Sequence, residues 1–165
     1  MAVTTEILRS WRNPGAAMRR QLAGGVREDR ALLLLMVACL FLFVAQWPRL
    51  AREFAADPSV PLEARLGAAM LGLLFIAPLA FYLLAAASHL VARLLGGRGS
   101  FGTARMALFW ALLATSPAFL LHGLAMGFLG PVPGTRILGS LVLVVFLAIW
   151  FLCLREAERP PRETA

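Results

Sequence analysis

The chain has 165 residues, 60% of them apolar and 15% charged, with a net charge of +7 and a mean hydropathy of +0.77. That balance excludes a water-soluble domain, which needs a polar shell. The apolar residues gather in four long runs separated by short arginine-bearing breaks, which is the pattern of helices crossing a hydrocarbon layer about 30 Å thick.

The first thirty residues form a basic amphipathic segment. Ile7, Leu8, Trp11, Met18 and Leu22 recur at spacings of three, four and seven, with Arg9, Arg12, Arg19 and Arg20 among them. Pro14 breaks the stretch after Asn13. Two short helices lying in the headgroup layer are expected, with Trp11, Arg12, Arg19 and Arg20 as lipid contacts and anionic lipids as the partner. No apolar stretch of the right length precedes a small-residue cleavage site, so a cleavable signal peptide is not expected.

Spans are predicted at about 31–47, 66–94, 106–129 and 137–154, with a cytoplasmic tail over 155–165. Pro48 closes the first run, and Gly130-Pro131 ends the third. The second run is longer than a straight crossing needs, which predicts a tilt or ends that project into the interface. Pro78 and Pro117 lie inside the second and third runs. Each removes one helical hydrogen bond and predicts a kink. In lipid every backbone amide must be satisfied within its segment, so the fold class is all-α: a polytopic membrane protein of four transmembrane helices behind a short amphipathic N-terminal segment.

Every basic residue other than histidine is arginine, and arginine orients the chain. Twelve fall in residues 1–30, in the break between spans two and three, and in the tail; Arg49, Arg52, Arg65 and Arg136 fall in the other two loops. The positive-inside rule puts both termini and the Gly96-Gly97 loop in the cytoplasm. The basic balance is thus topological. No base-reading machinery accompanies it, and no nucleic-acid partner is expected.

Few residues offer chemistry. Cys39 and Cys153 have no metal or redox spacing and read as small packing residues. His89, late in the second span, and His122, in the third, are the candidate polar membrane sites. His89 is near enough to the interface to reach water. His122 is the better candidate for a buried contact, with Thr115 about two turns back on nearly the same face. No carboxylate falls inside a predicted span, which counts against a proton relay. Gly96-Gly97-Arg98-Gly99-Ser100-Phe101-Gly102 lacks the ending of a phosphate-binding loop. It reads as a tight cytoplasmic turn, its glycines at positive φ, with Ser100 or Thr103 capping the next helix. No enzyme motif is present, so no catalytic activity, cofactor or metal is expected. Gly123 and Gly127 make a GxxxG that Gly130 extends, and Ala107, Ala111, Ala114 and Ala118 form a second small stripe. The third span is the expected packing centre, within one chain or toward self or another membrane protein.

The order of features resembles one family. An Asn13-Pro14 pair precedes the first span. The long second span ends in Gly96-Gly97-Arg98-Gly99-Ser100-Phe101. The third begins Ala104-Arg105-Met106-Ala107-Leu108-Phe109-Trp110-Ala111 and carries Pro117 near its middle. This pattern is similar to the Yip domain family (Rab-interacting membrane proteins) in its short bacterial form, over about residues 5–155. Eukaryotic members are trafficking proteins that associate with small GTPases and with one another. This chain departs from them in having four spans rather than five, and in lacking their longer cytosolic region and its Tyr-Gly-Pro-like segment. A lysine-free composition rich in Arg, Ala, Leu and Gly implies a GC-rich bacterium. The resemblance implies a non-catalytic inner-membrane scaffold or interaction protein. The other reading is a small oligomeric transporter or channel subunit built around His122.

Overall fold

A computed structural model describes residues 3–159. Arg162 and the rest of residues 160–165 of the expected tail lie outside the described residues, as does the side chain of Leu8. Two short helices, α1 (Val3–Arg12) and α2 (Pro14–Ala23), precede α3 (Glu28–Ala56). The next span is continuous over Leu62–Leu94 but not uniform: α4 (Leu62–Leu71) passes through a π-helical turn at Gly72–Ile76 into α5 (Ala77–Leu94). Then come α6 (Phe101–Leu129) and α7 (Pro133–Ala157). Among the described residues there is no strand, and four spans are long and apolar enough to cross a membrane.

The first span differs from the sequence expectation. Pro48 does not end α3, which runs on to Ala56. Pro48 lacks only the N–H that would bond back to Val44, and the helix continues through Arg49 and Glu53, paired one turn apart at 3.6 Å. Pro117 has the same defect inside α6, leaving the Leu113 carbonyl without its helical donor. The Ser116 hydroxyl takes that carbonyl at 2.8 Å. Pro78 instead stands at the start of α5, directly after the π-helical turn, where the winding is already irregular.

α6 is the centre of the bundle. Every residue from Met106 to Ser116 is buried, because α1, α2, α3, α5 and α7 all pack on that half. The C-terminal half packs on α3 by backbone contact. A Cβ at Gly123 would lie 1.9 Å from the Ala45 carbonyl oxygen, and one at Gly127 would lie 2.3 Å from the Pro48 ring. Gly130 ends α6 at φ +76°. Arg52 lies against it and donates to the Phe128 and Gly127 carbonyls at 2.9 and 3.2 Å, satisfying the end of the helix. Thr135 closes the short link to α7 by donating to the Gly130 carbonyl at 2.7 Å.

On the α3–α4 loop, Arg65 donates to the Asp57 and Val60 carbonyls at 3.0 and 3.2 Å. Hydrogen bonds from Ser59 hold the Asp57 carboxyl below the usual carboxylate range.

Gly123→Ala is expected to lower stability by about 1–3 kcal/mol, the range for overpacking a close contact. Gly67→Ala, in the open middle of α4 with nothing within 4 Å of its added Cβ, should be neutral or stabilising by up to about 1 kcal/mol. Thermal unfolding of the two variants in the same lipid discs gives the comparison; equal effects would show that the α3–α6 contact does not depend on glycine.

Candidate functional site

The buried polar residues Ser10, His89 and Glu158 lie at the end of the bundle that carries the Gly96–Phe101 turn. α5 stops in a Schellman motif. Gly96 takes φ +92°, its N–H donates to the Arg93 carbonyl at 3.1 Å, and the Gly97 N–H donates to the Ala92 carbonyl at 2.9 Å. α6 starts in a capping box: Thr103 N–H donates to Ser100 Oγ at 3.2 Å, and Ser100 N–H donates to Thr103 Oγ1 at 2.9 Å. Only Gly96 in this turn needs positive φ. Gly97 and Gly99 are held to glycine by space: a Cβ on either would lie 2.8 Å from a carboxylate oxygen of Glu158.

Glu158 falls within the expected tail, 155–165, but belongs to the bundle. It follows the last residue of α7 and is 8% exposed. One carboxylate oxygen lies 2.7 Å from His89 Nδ1, and the other accepts the Gly99 N–H at 3.0 Å. Its backbone carbonyl accepts the Arg98 N–H at 2.9 Å. His89 is buried too, at 3% exposed, and does not reach water as the sequence suggested. The Phe101 ring lies against it, centroids 4.5 Å apart. A single side chain therefore ties α5, the glycine turn and the end of α7 together. The signal for it was a buried stripe on α7, Val142, Phe146, Ile149, Cys153 and Ala157, whose spacing of three and four continues past the end of the apolar run.

The N-terminal helices join the same end. Asn13 caps α2, accepting the Ala16 N–H at 3.0 Å. The Pro14 carbonyl accepts the Cys153 thiol at 3.7 Å. Arg19 pairs with Glu156 at 3.1 Å, and Arg159 reaches the same carboxylate at 2.7 Å. Ser10 is fully buried and accepts the Trp110 indole N–H at 3.0 Å. Trp11 donates its own indole N–H to the Ala114 carbonyl at 2.9 Å, one turn before Pro117. Arg12 and Arg20 are exposed, as is the Trp11 ring in part. Nearby, Arg105 pairs with Glu28 at 2.6 Å and lies over the Tyr82 ring.

The other polar locus stands apart. His122 borders a cavity of about 180 Å³ between α3 and α6, with Gln46, Arg49 and Phe119. Its Nδ1 is buried without a hydrogen-bond partner among the described residues. Gly139 of α7 lies against the ring, where a Cβ would be 2.9 Å from Cε1. Thr115 is not joined to it; its hydroxyl turns back to the Ala111 carbonyl at 2.8 Å. Ala107, Ala111 and Ala114 are buried in the bundle, and Gly123 and Gly127 face α3 of the same chain. Among the described residues no three of His, Cys, Asp and Glu come together as metal ligands would.

The His89–Glu158 pair holds segments together. Removing Glu158 leaves a buried imidazole and a part-buried amide without their partner, so Glu158→Ala and His89→Ala should each destabilise and should not add. A double-mutant cycle by thermal unfolding is expected to give a coupling of about 0.5–3 kcal/mol. Additive losses would mean that the two side chains act independently.

A model of the Yip1 domain family matches residues 8–164, which takes in the second half of α1, all of α2, the glycine turn and Glu158. No curated protein and no solved structure matches the chain. The chain is a multi-pass membrane protein that belongs to the Yip1 domain family.

Proposed function

We propose that this protein is a non-catalytic scaffold of the bacterial cytoplasmic (inner) membrane, presenting a rigid cytoplasmic face to other membrane proteins and to anionic lipid. The observation that carries this reading is the use made of the buried polar groups at that face. Glu158, His89, Ser10 and Trp110 are each engaged with another segment of the same chain, which serves rigidity rather than turnover. Arg12, Arg93, Arg98 and Arg155 stay exposed around them.

The placement of α1 and α2 supports an interfacial position. α3 and α6 run parallel, with Ala45 facing Gly123 and Pro48 facing Gly127. By that register Ala114, which binds Trp11, lies about 7 Å beyond Ala31 at 1.5 Å per residue. Interfacial helices bury their apolar face by about 5–10 Å. Arginine asymmetry supports the orientation, with the glycine turn inside and the α3–α4 loop outside.

A second reading, a small oligomeric transporter or channel subunit, is favoured by the unpartnered His122 Nδ1 at its cavity. Against it, the glycine face that would have served an oligomer is taken up by α3.

Photoreactive residues at Arg12 and Arg98, both exposed, test the scaffold in native membranes with mass spectrometry of the adducts. Met18 and Gly127 face the bundle and would report only internal contacts. A reproducible adduct with a different membrane protein is the expected result. Lipid adducts alone at both positions would remove the scaffold reading, and a self-adduct would favour the oligomer. For the orientation, an impermeant thiol reagent on cells should label Ser59→Cys, while Arg98→Cys should need permeabilisation, both in a Cys39→Ala, Cys153→Ala background. The reverse pattern would invert the topology.

A further inference from the structure

α5 and α7 both pack on α6 but barely touch one another. Between them lies an open cleft of about 780 Å³, within the range of about 300–1,000 Å³ typical of ligand sites. Its walls are apolar, with Leu84 and Val91 on one side and Leu147, Phe151 and Leu154 on the other. It starts beside the Gly96-Gly97 turn and Arg155 and runs inward along the helices. Leu147 is eight residues from Arg155 and Leu84 is eleven from Leu95. At 1.5 Å per residue these are lengths of about 12 and 16 Å. One leaflet contributes about 15 Å to a hydrocarbon layer of about 30 Å. The cleft therefore has the depth of one acyl layer and opens sideways where lipid is the solvent.

Its polar end has a definite charge. Glu158 borders the cleft, but its carboxylate is engaged by His89 and the Gly99 N–H. Arg155 is exposed at the mouth and has no ion-pair partner among the described residues. The wall residue Trp150 also has a buried indole N–H with no acceptor among them. A buried tryptophan N–H ordinarily finds a partner. An apolar slot of one-leaflet depth, with an unspent cation at the headgroup end, fits an acyl chain that ends in a phosphate.

We propose that the α5–α7 cleft binds one anionic glycerophospholipid of the cytoplasmic leaflet, its acyl chain between Leu84, Val91, Leu147 and Phe151 and its phosphate on Arg155. This site is separate from the N-terminal helices and does not depend on the scaffold reading, since a protein with no protein partner could hold it equally well. A basic residue near an anionic headgroup contributes roughly the equivalent of a five-fold preference over a zwitterionic lipid.

The full chain in nanodiscs of equal phosphatidylglycerol and phosphatidylcholine, released for native mass spectrometry, tests it. The expected result is one retained phosphatidylglycerol, preferred about five-fold. Arg155→Gln, at an exposed position, should bring the preference close to one. Ala87→Trp, which fills the exposed α5 wall of the cleft, should remove the retained lipid without loss of thermal stability. Arg136→Gln, exposed at the opposite end of α7, should leave retention unchanged. Equal retention of both lipids, a preference that survives Arg155→Gln, retention that survives Ala87→Trp, or a dimer that Ala87→Trp dissolves would each overturn the proposal.

Discussion

Inside lipid no hydrophobic force draws one helix to another, so a helical bundle relies first on a place where backbones can come close. In this chain that place is the face of α6 at Gly123 and Gly127. The Ala45 carbonyl and the Pro48 ring occupy the volume that side chains would take. The rest of the arrangement depends on that contact. It sets the register between α3 and α6, and that register brings Glu28 to Arg105 at one end and Arg52 to the last carbonyls of α6 at the other. Both prolines inside these helices are accommodated around it. Pro48 is itself half of the contact, and the carbonyl released by Pro117 is taken by Ser116.

At the turn-bearing end a different chemistry takes over. The buried groups there are polar, and directional hydrogen bonds across long sequence separations do the joining. Glu158 reaches His89, 69 residues away, and Trp11 reaches Ala114, 103 residues away. A buried carboxylate is tolerable only when its lone pairs are used. Here one oxygen meets an imidazole and the other a backbone amide. The Yip1 family match runs across all of these segments.

Much of this was legible in the sequence, for physical reasons. Span number, fold class and family resemblance follow from hydropathy and from a motif whose glycines and cap are local features. Pro48 misled because a proline usually ends a helix in water, whereas a spanning helix loses one hydrogen bond and continues. The glycine turn was read as a demand for positive φ. That holds for Gly96, but Gly97 and Gly99 are glycines because Glu158 and the Ala92 and Ala157 carbonyls lie against them, and such a reason is invisible without the distant partner. Glu158 itself was hidden by hydropathy, which stops at the last apolar residue while the packing stripe on α7 goes on. The α5–α7 cleft left no trace in the sequence, because it is the absence of a contact between two helices that each look ordinary.

The π-helical turn at Gly72–Ile76 makes one span behave as two pieces of different phase. An α-helix advances by 100° per residue, and a turn wound with one extra residue rotates everything beyond it by about that angle. Before the turn the span packs on α3; after it the span packs mainly on α6. A uniform helix could present one such face along its length but not hand the contact from one neighbour to another. Loss of a single residue from that turn would restore even winding and swing the α4 face by about a quarter of a revolution away from α3. The length of this segment is thereby fixed to the residue, even though none of its five residues is buried.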